Sequence, residues 1–133
     1  MAVGFTYDEA TSILQSKITP ETLVGLSTTT PDKYGGNFTE PSKSSGYSRQ
    51  RFGTVNKSIE AQVANQNIIF LFEALTDCGS VTHVGLFKSE TAVYPFLVAR
   101  LTAALTVGTG YVPLIRANKL VIGLDREALS SYA

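Results

Sequence analysis

The sequence predicts a mainly β protein: an antiparallel β-sandwich or open barrel of about seven or eight short strands, with one short N-terminal helix. Three observations carry this expectation. Thr, Val, Ile, Phe and Tyr, the types that fit a pleated and half-buried surface, make up about a third of the chain. Apolar runs are short and separated by Gly, Pro, Asn and Asp clusters. The length of 133 residues suits one core, so a single β domain spanning 1–133 is expected.

The helix is placed at 6–18. Thr6 followed by Glu9 forms a capping box, in which the Thr hydroxyl accepts from the Glu9 N–H. Ala10, Ile13 and Leu14 then share one face, and Thr19-Pro20 ends the run. So short a helix is marginal alone and must dock on something.

Short strands follow. Thr22 to Ser27 is the first, and a polar loop over 28–46 comes after it, carrying Pro31, Gly35, Gly36 and Pro41. Loops of this length tend to be functional or mobile. Tyr47 to Phe52 alternates, with Tyr47, Arg49 and Arg51 on one face. Ser58 to Val63 sets Ile59, Ala61 and Val63 against Ser58, Glu60 and Gln62. Asn67 to Phe72 is apolar on both faces and is expected to be a central strand. Val81 to Lys88 and Tyr94 to Thr102 are the next strands. Tyr111 to Arg116 and Leu120 to Leu124 close the pattern around a tight connection at Ala117-Asn118. Leu26, Ile69, Leu71, Leu86, Phe87, Phe96 and Leu120 are the expected core. No strand edge shows a proline or an inward charge for protection.

Charge and inventory exclude several functions. Charged residues are 17% of the chain and the net charge is zero, which argues against a nucleic-acid partner with a basic stripe. The longest apolar stretch, Ile68 to Phe72, is far below the ~20 residues that span a bilayer, so no membrane partner is expected. Residues 1–18 contain Asp8 and Glu9 and no basic start, so synthesis in a cytoplasm is expected. The sequons at Asn37 and Asn56 are then chance matches.

No catalytic residue, cofactor or metal site is expected. One cysteine, Cys78, and one histidine, His83, cannot make a Cys/His zinc site. A Ser/His/Asp triad would have to use His83, which sits mid-strand in VTHVGLF and reads as a core or cross-strand histidine bonded to a neighbour. No pair among Asp8, Glu9, Glu40, Glu60, Glu73, Asp77 and Glu90 is marked by local pattern for glycoside chemistry. The glycines at 35–36 and 108–110 lack the strand–turn–helix setting of a phosphate loop. Four residues stand out as interface candidates instead: Tyr34 and Phe38, aromatics on a polar loop, and Arg49 and Arg51, guanidinium groups suited to interface ion pairs.

Three segments, VGLSTTTPD (24–32), FTEPSKSSGYSRQ (38–50) and VTHVGLFKSETA (81–92), resemble a family of small tailed-phage virion proteins, tail-fibre-like or otherwise structural. Thr39, Glu40, Tyr47, Arg49, Thr82, His83, Gly85 and Phe87 stand at matching positions. Lys43-Ser44-Ser45 departs from the usual glycines, and Val84 from the usual aromatic. The resemblance implies a virion structural protein. The chain has no repeat from which a fibre shaft could be built, so the first expectation is a decoration or cement protein bound to the major capsid protein, as a homotrimer. A small tail, fibre-base or baseplate adaptor is the second. A carbohydrate-binding or hydrolytic host-recognition module is the third.

Overall fold

A computed structural model describes residues 6–58 and 62–123. In chain order the elements are α1 (Tyr7–Lys17), β1 (Leu23–Ser27), a 3-10 turn (Lys43–Ser45), β2 (Gln50–Arg51), β3 (Val55–Asn56), β4 (Gln62–Asn65), β5 (Ile69–Phe70), β6 (Gly79–Phe87), β7 (Leu97–Val107), β8 (Leu114–Ile115) and β9 (Val121–Gly123). The protein is mainly β, every strand pair is antiparallel, and no sheet among the described residues closes into a barrel. The described residues form two compact units, one from 6–20, 52–58, 62–68 and 116–123, the other from 21–51 and 69–115.

In the first unit, α1 begins where the capping box places it. The Glu9 N–H donates to Thr6 Oγ1 (3.2 Å), and the helix ends with the Ile18 N–H on the Leu14 carbonyl (2.8 Å). Ala10, Leu14 and Ile18 are buried, and the helix packs on β4, which supplies the docking that so short a helix requires. The sheet order is β3-β4-β9, with Val63 paired to Ile122 and both buried. Ile59, Glu60 and Ala61 of the expected Ser58–Val63 strand, and Leu124 of the last one, lie outside the described residues. At the end of β4 sits Asn65, fully buried. Its Nδ2 donates to the carbonyls of Asn67 (2.8 Å) and Arg116 (2.9 Å), and its Oδ1 accepts from the Leu120 N–H (2.9 Å). One side chain thereby satisfies two backbone groups of the turn into β9 and one of the turn after β4.

In the second unit a four-stranded sheet has the order β2-β1-β6-β7. All five residues of β1 are buried, as suits a strand covered on both faces. Several expectations are corrected here. The strand expected over 47–52 is only Gln50–Arg51; Tyr47 and Arg49 turn their side chains into the contacts described below, while Ser48 is exposed. The Asn67–Phe72 run is not central: only Ile69–Phe70 is strand, paired with β8 in a two-stranded ribbon. Within the ribbon Ile69 is buried while Phe70 faces solvent, and past its end Leu71 and Phe72 are both buried. β8 and β9 do not form a hairpin around Asn118, since β8 pairs with β5 and β9 with β4. Phe96 is half-buried, unlike the rest of the expected core. β7 starts three residues later than expected and runs on to Val107.

β7 is an edge strand with its own protection. Val81 pairs with Leu105, but His83 pairs with Arg100, so Thr82 alone stands opposite the stretch 101–104. A bulge of this kind twists an edge away from further pairing. No proline or inward charge was needed.

Candidate functional site

The site is built on two glycines. Gly25 of β1 and Gly85 of β6 are register partners, so the middle of the sheet carries no Cβ on either strand. The space is filled from three directions. A Cβ on Gly25 would stand 2.8 Å from the Phe87 ring and 2.8 Å from the Tyr47 hydroxyl. One on Gly85 would stand 2.8 Å from the Phe38 ring and 3.1 Å from Pro95. Phe38 meets Phe87 edge-on at 5.3 Å, and Tyr47 meets Phe72 in the same way.

Over this floor lies a charged clasp. Glu40 accepts Arg49 Nη2 on Oε1 (2.8 Å) and Arg49 Nε on Oε2 (3.1 Å). This is the bidentate fork that only a guanidinium makes. The Tyr47 hydroxyl donates to Glu40 Oε2 and accepts from the Leu26 N–H (3.0 Å). That second bond has a topological cause. β2 is so short that its pairing with β1 stops at Val24, and the Tyr47 hydroxyl satisfies the next outward N–H. Beyond it the 28–46 loop takes over, with the Thr28 N–H on the Thr39 carbonyl (3.0 Å) and the Thr39 N–H on Ser27 Oγ (3.0 Å). Arg49 stacks on Phe87, 3.6 Å from the ring centre. Its Nη1 donates to the carbonyls of Ser89 (3.0 Å) and Glu90 (3.2 Å).

Burial and the Glu40 carboxylate together hold the Tyr47 hydroxyl far above the ordinary tyrosine range. The Arg49 and Glu40 side chains are 12% and 22% exposed, so the pair is largely desolvated. Beside it a surface groove of about 380 Å³ is lined by Pro41, Lys43, Ser48 and Glu90 in addition to the clasp. Every polar atom of the clasp already has a partner among its own residues. The arrangement is built to hold three segments together: the 38–41 loop, residues 47–49, and the connection after β6.

The four interface candidates separate accordingly. Phe38 and Arg49 are occupied in the clasp. Arg51 is exposed and meets Glu21 at 3.3 Å in a surface pair. Tyr34 stands at the loop tip, 79% exposed, with Lys33 Nζ 5.2 Å from its ring centre. Sequence reasoning missed Glu40 as the partner of Arg49, and it missed Asn65. The presence of Glu40, Tyr47 and Arg49 in one matching segment was the available signal.

His83 is buried on β6, opposite Ser27, with Nδ1 2.8 Å from Thr82 Oγ1. Cys78 is half-buried near the Thr76 carbonyl. Asp77 accepts the N–H (2.8 Å) and hydroxyl (3.0 Å) of Thr109, which hold its carboxyl below the usual carboxylate range. Among the described residues there is no His/Cys/Asp/Glu cluster suited to a metal ion, and no helix long and apolar enough to cross a membrane.

The segments with a phage-protein resemblance are those that meet in this clasp, and family comparison agrees that the protein is of the tailed-phage virion structural class. The chain belongs to the family described as Podophage GP4 fiber I protein gp80, whose model matches residues 15–123. No curated protein matches it.

Proposed function

We propose that the protein is a non-enzymatic adaptor of the tail-fibre apparatus that works as a homo-oligomer. The observation that carries this reading is the clasp. Its buried fork, stacked arginine and glycine floor hold loops in place, with the charged groups matched by partners within the chain. The fibre description of the family favours the tail over the shell. The absence of any repeat in the sequence favours a base or joint over a shaft. A capsid decoration protein, the first expectation from sequence, needs the same rigid module and differs in location. Separating virions into heads and tails and probing each fraction with an antibody tests the reading: signal with tails and fibres is expected, and signal with empty heads would overturn it. Purified protein should give only background turnover on peptidoglycan, polysaccharide and ester substrates. Turnover abolished by His83→Ala would overturn the non-enzymatic part.

A further inference from the structure

The bulge in β7 is larger than edge protection requires. One extra residue suffices to bend an edge strand, whereas here the stretch 101–104 stands opposite Thr82 alone. The surplus borders a surface cavity of about 330 Å³, lined by Thr82, Arg100 and the bulged residues Leu101, Thr102, Ala103 and Ala104. Bulges are frequent next to active sites, where they re-aim a side chain. The charge at this one is the guanidinium of Arg100, which is exposed.

We infer that this cavity is a site for an oxyanion, a carboxylate or phosphoryl group on a small ligand, held by Arg100. The inference goes beyond the adaptor reading and does not rest on it. The other two arginines of this unit have counter-charges, Glu40 for Arg49 and Glu21 for Arg51. Among the described residues Arg100 has no ion pair and no hydrogen bond from its guanidinium. It is also the one side chain of β6 and β7 with a permanent charge, and no carboxylate in the lining competes with a ligand for it. A guanidinium presents its donors in a planar fork that matches two oxygens of one anion. The lining adds the hydroxyls of Thr82 and Thr102. Thr82 Oγ1 lies 2.8 Å from His83 Nδ1. A hydroxyl is one donor with two acceptor lone pairs, so Thr82 keeps its proton for an anion when the ring nitrogen donates. Leu101, Ala103 and Ala104 complete the wall. The volume lies at the lower end of small-molecule sites, which suits an anionic group on a body no larger than a monosaccharide.

Heteronuclear NMR of the full-length protein, titrated in a chloride buffer at constant ionic strength, tests the site. The probes are inorganic phosphate and glucuronate, with glucose as the uncharged control. Saturable shifts are expected at the Thr82 and 101–104 amides and at the Arg100 guanidinium with at least one anion, and none with glucose. Saturation by phosphate alone assigns a phosphoryl ligand, and saturation by glucuronate alone a carboxylate. Arg100→Gln should weaken binding about tenfold or more, the worth of a charge-assisted contact. Arg100→Lys, which keeps the charge and loses the fork, should fall between wild type and Arg100→Gln. Thr82→Val spares the charge and should weaken binding severalfold, which keeps the test open should Arg100→Gln perturb the circular dichroism spectrum. Arg51→Gln removes an exposed cation elsewhere on the sheet and should leave the affinity unchanged. Shifts that stay linear to tens of millimolar, an equal response to glucose, or an unchanged affinity in folded Arg100→Gln would each overturn the inference.

Discussion

Tyr47 concentrates the physical chemistry of the clasp. Its folded-state titration is pushed above that of an unfolded tyrosine, near 10, first by burial and then by Glu40. A raised value means that the folded state holds the proton more tightly. The stabilisation is complete below about pH 10 and is lost as pH rises beyond it. Wild type should therefore lose stability more steeply than Tyr47→Phe between about pH 9 and 11 in chemical denaturation, and parallel curves would show that the hydroxyl is not desolvated. Glu40→Gln leaves the Arg49 guanidinium buried without its counter-charge and should cost about 3–5 kcal/mol at neutral pH, measured in the same way. Asp77 has the opposite sign and a smaller role. Its lowered carboxyl stabilises above the ordinary range near 4, and that contribution is lost as pH falls below it. Asp77 is fully exposed, so the effect belongs to the 108–110 turn.

Elements here are short, and each depends on side chains from outside it. β1 has a full partner in β6 but only two paired residues in β2, and Tyr47 and the 28–46 loop complete its outer edge. The same dependence makes Gly85 irreplaceable by packing, since its Cβ position is occupied by the Phe38 ring and Pro95. Gly85→Ala should destabilise by about 1–3 kcal/mol through overpacking. Gly108→Ala, which would meet only Asp77 at 3.7 Å, should stay within about 0.5 kcal/mol. Equal costs would mean that the glycine floor is not packed as described. In the other unit Asn65→Ala strips three hydrogen bonds from the backbone, the one to the Leu120 N–H fully buried. A loss of about 2–4 kcal/mol is expected, with faster hydrogen exchange at the Leu120 amide as its local signature.

At the scale of the whole molecule, the protein spends its stability on fixing surfaces. The clasp anchors the base of the 28–46 loop and the connection after β6, and the exposed Tyr34 and Tyr94 ride on those two segments. A rigid aromatic projection loses little entropy on docking, which is where interface energy concentrates. Phage carrying Tyr34→Ser/Tyr94→Ser should therefore incorporate less of this protein per particle, measured by quantitative immunoblot of purified virions, while the free variant keeps its β spectrum. Wild-type incorporation would remove Tyr34 and Tyr94 from the attachment surface.

The sequence alone determined what is coded within a few residues. Thr6 and Glu9 mark the start of α1 because capping is a contact between residues three apart. β1 and β6 were legible because an apolar run between turn residues has few other ways to bury itself. The resemblance in the 38–50 and 81–92 segments pointed to the virion class without showing why those residues occur together. Tertiary structure decided the rest. Asn67–Phe72 reads as a central strand, yet hydrophobicity cannot say which neighbour covers each face, and the chain makes it a ribbon. Arg49 and Arg51 look equivalent at a spacing of two, but Glu40, brought in by the 28–46 loop, takes one into the clasp, and the other stays in solvent beside Glu21. Gly25 and Gly85 acquire meaning only once register sets them side by side. A cavity, a floor or a buried ion pair depends on distances between segments far apart in the chain, and local residue preferences do not specify those distances.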